Sequence, residues 1–455
     1  MTELSPSQKT GYIKIMCGFN VFLTGHAGTG KTYLLKKVIH DLEKAGKNVV
    51  VAAPTGVAAI NIGGTTLHRL FMLKPDIYVG KKVQIPPVLK ETDALIIDEI
   101  SMCRVDLFDY VGRVLQAVQR SVHRSIQIIV VGDFCQLPPV INSTGNSREK
   151  EILDSYFGKD VSRGFAFLSP QWNRLNFLTV ELQEVMRQED PAFIFALDRV
   201  RLGDATALQY FAHNASCTAL KDGIYLAGRN AEVDRINDMM LSRIEGDLFQ
   251  YEASCEGDVT IEDQRVAPEM LELKIGARVM MTVNASDDEY HNGSIGVITA
   301  LSEDCIMVKI DDGNECRIEE NTWEIIRYET EAAPDDLPRF KRKVVGKYTQ
   351  YPIKLAWAVT IHKSQGQTFS KVNLNPRCWD SGQLYVALSR LRSIDGLHLT
   401  APLKEQYLQL DPAVTRFYED ARLHVSDDAG VTRDAMLPDE TIDTGLEDSQ
   451  NSLFW

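Results

Sequence analysis

Apolar positions in the first third of this chain come in short unbroken runs, separated by stretches where they fall in stripes. NVFLTG (20 to 25), NVVVAA (48 to 53), DALIID (93 to 98) and IQIIVVGD (126 to 133) are β-rich runs with few polar residues. Between the first two, Leu34, Leu35, Val38, Ile39 and Leu42 share one helical stripe. A strand apolar on both faces must be covered on both, so the series predicts an α/β fold with a parallel sheet flanked by helices. A second series of the same kind begins at GIYLA (223 to 227), continues through the helical NAEVDRINDMML, resumes at IKLAWAVTIHKSQG and ends near GLHLT (396 to 400).

The texture changes between the halves of that second series. ARVMMTV, SIGVITAL, DCIMVKI and ECRIEE are short runs broken by NG and DDG turns, which reads as a small β-barrel inserted at about 275–348. The expected organisation is a first domain over 1–180, a second over 181–422 that carries this insertion, and a tail over 423–455. A chain of 455 residues is too long for one core, which agrees with two large domains.

Charge sharpens the view of the tail. The net charge is −14, and from Leu423 onward eight acids face a single base, Arg433, so half of the excess sits there. Low periodicity and high charge predict disorder in the tail, which ends in the apolar Leu453, Phe454 and Trp455. An acidic chain can hold nucleic acid only in a local basic channel. The densest basic run is RFKRKVVGK (339 to 347), with Arg339, Lys341, Arg342 and Lys343. The eight cysteines are scattered without a C-x-x-C pair, against both a zinc site and a disulfide framework. The opening MTELSPSQ has no secretory pattern, so the chain is expected to stay where it is made.

GHAGTGKT (25 to 32) matches G-x-x-x-x-G-K-[ST] between a strand and a helix, the context a phosphate-binding loop requires. Gly25, Gly28, Thr29 and Gly30 would wrap backbone N–H groups around phosphate at a helix N-terminus. Lys31 would reach the β- and γ-phosphates of ATP, and Thr32 would ligate Mg²⁺. LIIDEIS (95 to 101) ends a buried strand with Asp98, placed to hold Mg²⁺, and Glu99, placed to polarise the attacking water. VVGDFCQLPPV (130 to 140) brings Gln136 to the end of the next strand, within reach of a γ-phosphate.

Phosphate loops serve many enzymes, and other segments narrow the class. With APTGVAA (53 to 59), GGTTLHRLF (63 to 71), VMRQED (185 to 190), VTIHKSQGQTF (359 to 369) and QLYVALSR (383 to 390), the chain resembles superfamily-one DNA helicases of the Pif type, relatives of the Dda and RecD helicases. The resemblance runs from Gln8 to about Thr400. It implies two RecA-like domains, an SH3-like inserted barrel, a wedge hairpin at about 69–91, and ATP-driven travel from 5′ to 3′ on single-stranded or forked DNA by a monomeric motor. It also implies roles for particular residues. Gln8 would read adenine, Arg187 and Arg390 would meet the γ-phosphate, and Gln365 with Gly366 would couple nucleotide state to DNA grip. Pro54, Thr55, Thr66 and His68 would line the DNA face of the first domain, and Thr360, His362 and Lys363 that of the second. The stretch from Asp106 to Gln127 only loosely echoes the Pif-type pattern and lacks its terminal double glycine. The tail resembles the acidic, aromatic-ended peptides by which bacterial single-strand-binding proteins dock, which implies a replication partner.

Overall fold

The structure, a computed structural model, describes residues 3–74, 76–141, 148–261, 263–285, 289–303, 305–311, 313–332 and 338–428. Its first sheet is built from β1 (Val21–Gly25), β2 (Val49–Ala53), β3 (Thr65–Thr66), β4 (Ala94–Ile97), β5 (Gln127–Val131) and β6 (Leu178–Leu182). All pairs are parallel, in the order β3-β2-β4-β5-β1-β6. Every residue of β1, β2 and β4 is buried, as their unbroken apolar runs require. In such a sheet the loops at the carboxyl ends of the strands form the ligand crevice, and here those of β1, β4 and β5 do so.

The second sheet opens with β7 (Ile224–Ala227), and the chain then leaves it for a long insertion. The inserted strands are β8 (Phe249–Glu252), β9 (Ser254–Gly257), β10 (Met270–Leu273), β11 (Arg278–Met281), β12 (Ile295–Ser302), β13 (Cys305–Ile310), β14 (Glu315–Ile318), β15 (Asn321–Ala332), β16 (Pro338–Gln350) and β17 (Ile353–Leu355). β18 (Ala358–Thr360), β19 (Val372–Leu374) and β20 (Leu397–Leu399) complete a four-stranded parallel sheet ordered β18-β7-β19-β20.

Three sequence expectations need correction. The insertion is wider than 275–348, because β8, β9 and β10 belong to it, and it divides into a five-stranded antiparallel sheet, β14-β13-β12-β11-β17, a three-stranded sheet, β15-β16-β9, and the pair β10-β8. The strands before residue 275 are only four residues each, too short for their apolar alternation to stand out, which hid them. The stretch at about 69–91 forms no strand among its described residues; it folds down, with Tyr78, Val88 and Leu89 buried in the first domain's core. A run rich in Pro and Lys disguised that anchorage.

The third correction concerns where the domains end. β6 carries the first domain to Leu182, and the helix Pro412–Asp428 returns to it from the far end of the chain. Residues 423–428 are therefore helical, and the boundary expected at 423 for the tail gives way to one after 428, outside the described residues. That helix inserts Phe417 among Phe22, Phe134, Phe167 and Trp172, with ring centroids 4.4–5.8 Å apart. Phe417→Ala should cost about 3 kcal/mol of stability by emptying this ring cluster. Urea denaturation measures it, and an unchanged midpoint would show that the helix does not dock.

Candidate active site

The phosphate loop joins β1 to the helix Lys31–Lys44. Gly28 (φ +82°) and Gly30 (φ +78°) hold left-handed conformations, and a side chain at Gly30 would strike Gln8 while one at Gly28 would strike Arg187. The loop is closed on itself. Lys31 donates to the carbonyls of Gly25 (2.7 Å) and His26 (2.9 Å), and burial pushes its amine down to about 8. Gln8 is buried, with its amide N–H donating to the Thr29 carbonyl (3.1 Å) and its oxygen accepting from Ser5 N (3.1 Å) in a helix cap. It thus braces the loop from behind in this state.

Asp98 and Glu99 follow β4, with Glu99 in a left-handed turn (φ +50°) that a non-glycine residue adopts at a cost. Burial raises Asp98 to about 6; burial and the neighbouring Asp98 raise Glu99 to about 7. Glu99 accepts from Gln365 Nε2 (2.9 Å), which also approaches Gln136 Oε1 (3.4 Å). Gln365 belongs to the second domain, so this amide spans the cleft.

The second domain also supplies the cations. Arg390, only 2% exposed, donates to Val386 O, Gln367 O and Ser389 Oγ. Arg187 donates to Ser389 O (2.9 Å) and Gly366 O (3.4 Å). Among the described residues neither guanidinium has a carboxylate in ion-pair reach, and burial lowers Arg187 to about 10 while burial and Arg187 lower Arg390 to about 9. A buried and a half-buried guanidinium without a paired carboxylate thus face the glycine loop, an arrangement suited to an anion. The cation donor set is equally legible: Thr32 sits exposed on the first helical turn, and Asp98 supplies a carboxylate, both hard oxygen donors of the kind Mg²⁺ takes.

The DNA-face residues named from the sequence fall at strand ends. Thr55 and Thr66 cap the helices Gly56–Asn61 and Leu67–Leu70 through their hydroxyls. Pro54 precedes the first cap, and His68 lies 5.9 Å from the Tyr78 ring. In the second domain Thr360 Oγ1 accepts from Lys363 N (3.2 Å), Lys363 is exposed, and burial lowers His362. The basic strand β16 lies against the same edge, with Arg342 beside Gly63, while Lys343 pairs with Glu329 (3.3 Å).

Sequence reasoning missed the groups that join the domains beneath the cleft. Arg201, 1% exposed, ends the helix Pro191–Arg201 and binds Asp133 (3.1 Å) and Glu181 (3.2 Å). Tyr385 accepts from the Ala27 amide of the phosphate loop (2.9 Å). Asp133 stood in view within GDFCQLPP; nothing in the sequence pairs it with Arg201. If the cleft takes a nucleoside triphosphate, ATP at about 100 times its Kd should stabilise the fold by about 2.7 kcal/mol. A thermal melt would read this as a higher Tm, largely lost in Lys31→Ala and better kept in Arg390→Ala; a full shift in Lys31→Ala would remove that lysine from the site.

Comparison with known proteins gives one consistent answer. A family model described as PIF1-like helicase matches residues 3–208. The chain is 32% identical to the ATP-dependent DNA helicase Pif1 of Campylobacter jejuni over 89% of this chain and 96% of that protein. It is 35% identical to human ATP-dependent DNA helicase PIF1, covering 92% of this chain and 64% of that protein. The chain thus spans a little under two thirds of the vertebrate relatives it matches. Bacteroides Pif1 in complex with ADP-AlF4 superposes with a TM-score of 0.81 at 34% identity, covering 93% of this chain and 98% of that one. The same Bacteroides protein bound to single-stranded DNA gives 0.63 at 34% identity, covering 94% and 98%. On this identity and coverage, joined to the glycine loop and the two arginines described above, the chain belongs to the PIF1-like helicase family.

Proposed function

We propose that this chain is an ATP-dependent DNA helicase that moves 5′ to 3′ on single-stranded DNA and separates the duplex ahead of it. The observation that carries the reading is the divided phosphate site: Lys31 and Glu99 on one domain, Arg187, Arg390 and Gln365 on the other. Phosphoryl transfer is catalysed mainly by positioning and by neutralising charge on the transferred group. Lys31 leaves its loop carbonyls for the β- and γ-phosphates. Arg187 and Arg390 exchange backbone acceptors for phosphate oxygens as the cleft closes, which removes the cost of burying them unpaired. Glu99, raised to about 7, is placed to take a proton from water near neutral pH. Mg²⁺, held by Thr32 and Asp98, supplies further charge neutralisation when bound.

Closure and release then move two DNA grips relative to each other. Pro54, Thr55, Thr66 and His68 form one, and Thr360, His362 and Lys363 the other, with Gln365 and Gly366 linking the second to the nucleotide. We assign the 69–91 segment to duplex separation and the five-stranded inserted sheet to an SH3-like unit along the track. The likeness is higher to unliganded Bacteroides Pif1 than to the same protein bound to single-stranded DNA, which supports a DNA-free arrangement of the domains. The chain works as a monomer with nucleic acid in the cytoplasm or nucleoid, or in the nucleus of a eukaryote. Its acidic end, with Phe454 and Trp455 outside the described residues, serves to dock a replication or single-strand-binding partner.

Lys31→Ala should abolish ATP hydrolysis and keep single-strand binding. Arg390→Ala should lower kcat on the order of 10³-fold. An unchanged kcat in a steady-state assay would take Arg390 off the catalytic list. Stimulation by single-stranded DNA, and not by RNA, tests the substrate class. Partial duplexes with a 5′ tail should be unwound and those with only a 3′ tail should not; the reverse preference would overturn the polarity.

A further inference from the structure

The C-terminal helix brings a second aromatic, Tyr418, to the floor of the phosphate site. Its hydroxyl lies 2.9 Å from Thr24 Oγ1, accepts from Phe134 N (3.2 Å) and donates to Asp133 Oδ1 (3.3 Å). Thr24 immediately precedes the loop glycine Gly25, and Asp133 and Phe134 open the turn that carries Gln136. Asp133 is held from the other side by Arg201, whose guanidinium lies 5.2 Å from the Tyr418 ring centroid. Gln136 in turn bonds Asp133 through its backbone N–H (2.9 Å) and more loosely through its side chain (3.4 Å). From Gln136 the contacts run through Gln365 to Glu99. A residue 394 positions from Thr24 thus shares a hydrogen-bonded line with the general base.

We propose that Tyr418 is a positioning residue for hydrolysis: its hydroxyl ties the ends of β1 and β5 together and holds Gln136 in register with Gln365 and Glu99. Core packing alone does not account for it. A phenylalanine would fill the same space beside the Phe417 ring and the Arg201 guanidinium, and burying a hydroxyl is favourable only where it is fully bonded. This one has three partners, at the carboxyl end of β1 and just after β5, where the phosphate-site residues are carried. The C-terminal helix is therefore part of the ATPase site, although it follows every motif of the second domain.

The proposal rests on the ATPase reading, and the experiment separates the two. Steady-state ATP hydrolysis with saturating single-stranded DNA is compared for the full chain, Tyr418→Phe and Phe417→Leu, with thermal unfolding of each. Tyr418→Phe keeps the ring over Arg201 and removes only the hydroxyl. Its kcat should fall about tenfold with KM for ATP within about twofold, the pattern of a contact that counts in the transition state. Phe417→Leu, one residue away, should lower Tm and keep kcat when assayed well below that Tm. Wild-type kcat in Tyr418→Phe overturns the proposal, as does an equal loss of kcat in both variants, which would make stability the cause. If the unaltered chain hydrolyses no ATP, the ATPase reading itself fails.

Discussion

The buried ion pair between Asp133 and Arg201 is the constraint around which the two domains are arranged. Asp133 leaves the carboxyl end of β5 in the first domain, and Arg201 closes a helix whose apolar face packs in the second. Burial alone would raise the Asp133 carboxyl, but Arg201 first, then Lys31, hold it below the ordinary range, so the pair is fully charged. Removing one partner of such a pair costs about 3–5 kcal/mol, because the other is left buried and uncompensated. The pair therefore fixes one side of the cleft. Tyr418 and Glu181 satisfy the remaining donors and acceptors, as a buried charge demands.

The opposite side of the cleft is built on the reverse principle. There Arg390 is buried and Arg187 half-buried against carbonyls and a hydroxyl, and Asp98 and Glu99 are held above their ordinary range by burial. These groups are costly as they stand, and a polyanion with a divalent cation relieves both sets at once. A cleft pinned at one edge by satisfied charges and lined at the other by unsatisfied ones can change its opening with its ligand. The link from Gln365 to Glu99 is the contact that such a change would make or break.

The insertion adds a third constraint, because it touches both domains. Its five-stranded sheet runs straight into the second through β17 and β18, with only two residues between them. Its β15–β16 hairpin reaches the first, where Tyr328 accepts from Val51 N (3.3 Å) and Ile326 enters the core, and the turn between β9 and β10 does so through Asp263, bound by Arg69 (3.0 Å). Arg342 on the same hairpin lies beside Gly63, near the edge that carries Thr66 and His68. Arg342 thus stands at this edge of a chain whose net charge is −14, while Arg69, Arg327 and Lys343 nearby are paired with Asp263, Asp258 and Glu329.

Much of this was open to reading in the sequence, for physical reasons. Unbroken apolar runs specify strands buried on both faces, and a glycine-rich loop between strand and helix specifies a phosphate cradle, because both depend on neighbours in the chain. Lys31, Thr32, Asp98, Glu99 and Gln136 were identifiable on that basis, and Arg187, Arg390 and Gln365 through the motifs around them. Other features depend on residues far apart in sequence. Nothing local marks Arg201 as more than the last residue of a helix, or Tyr418 as more than a core aromatic. The anchoring of Tyr78, the return of the C-terminal helix to the first sheet and the reach of the hairpin to Val51 are likewise silent in any single segment. Local pattern sets the elements and the phosphate chemistry, whereas the pairing of buried charges and hydroxyls across hundreds of residues is decided only when the chain packs, since burial alone makes those partners obligatory.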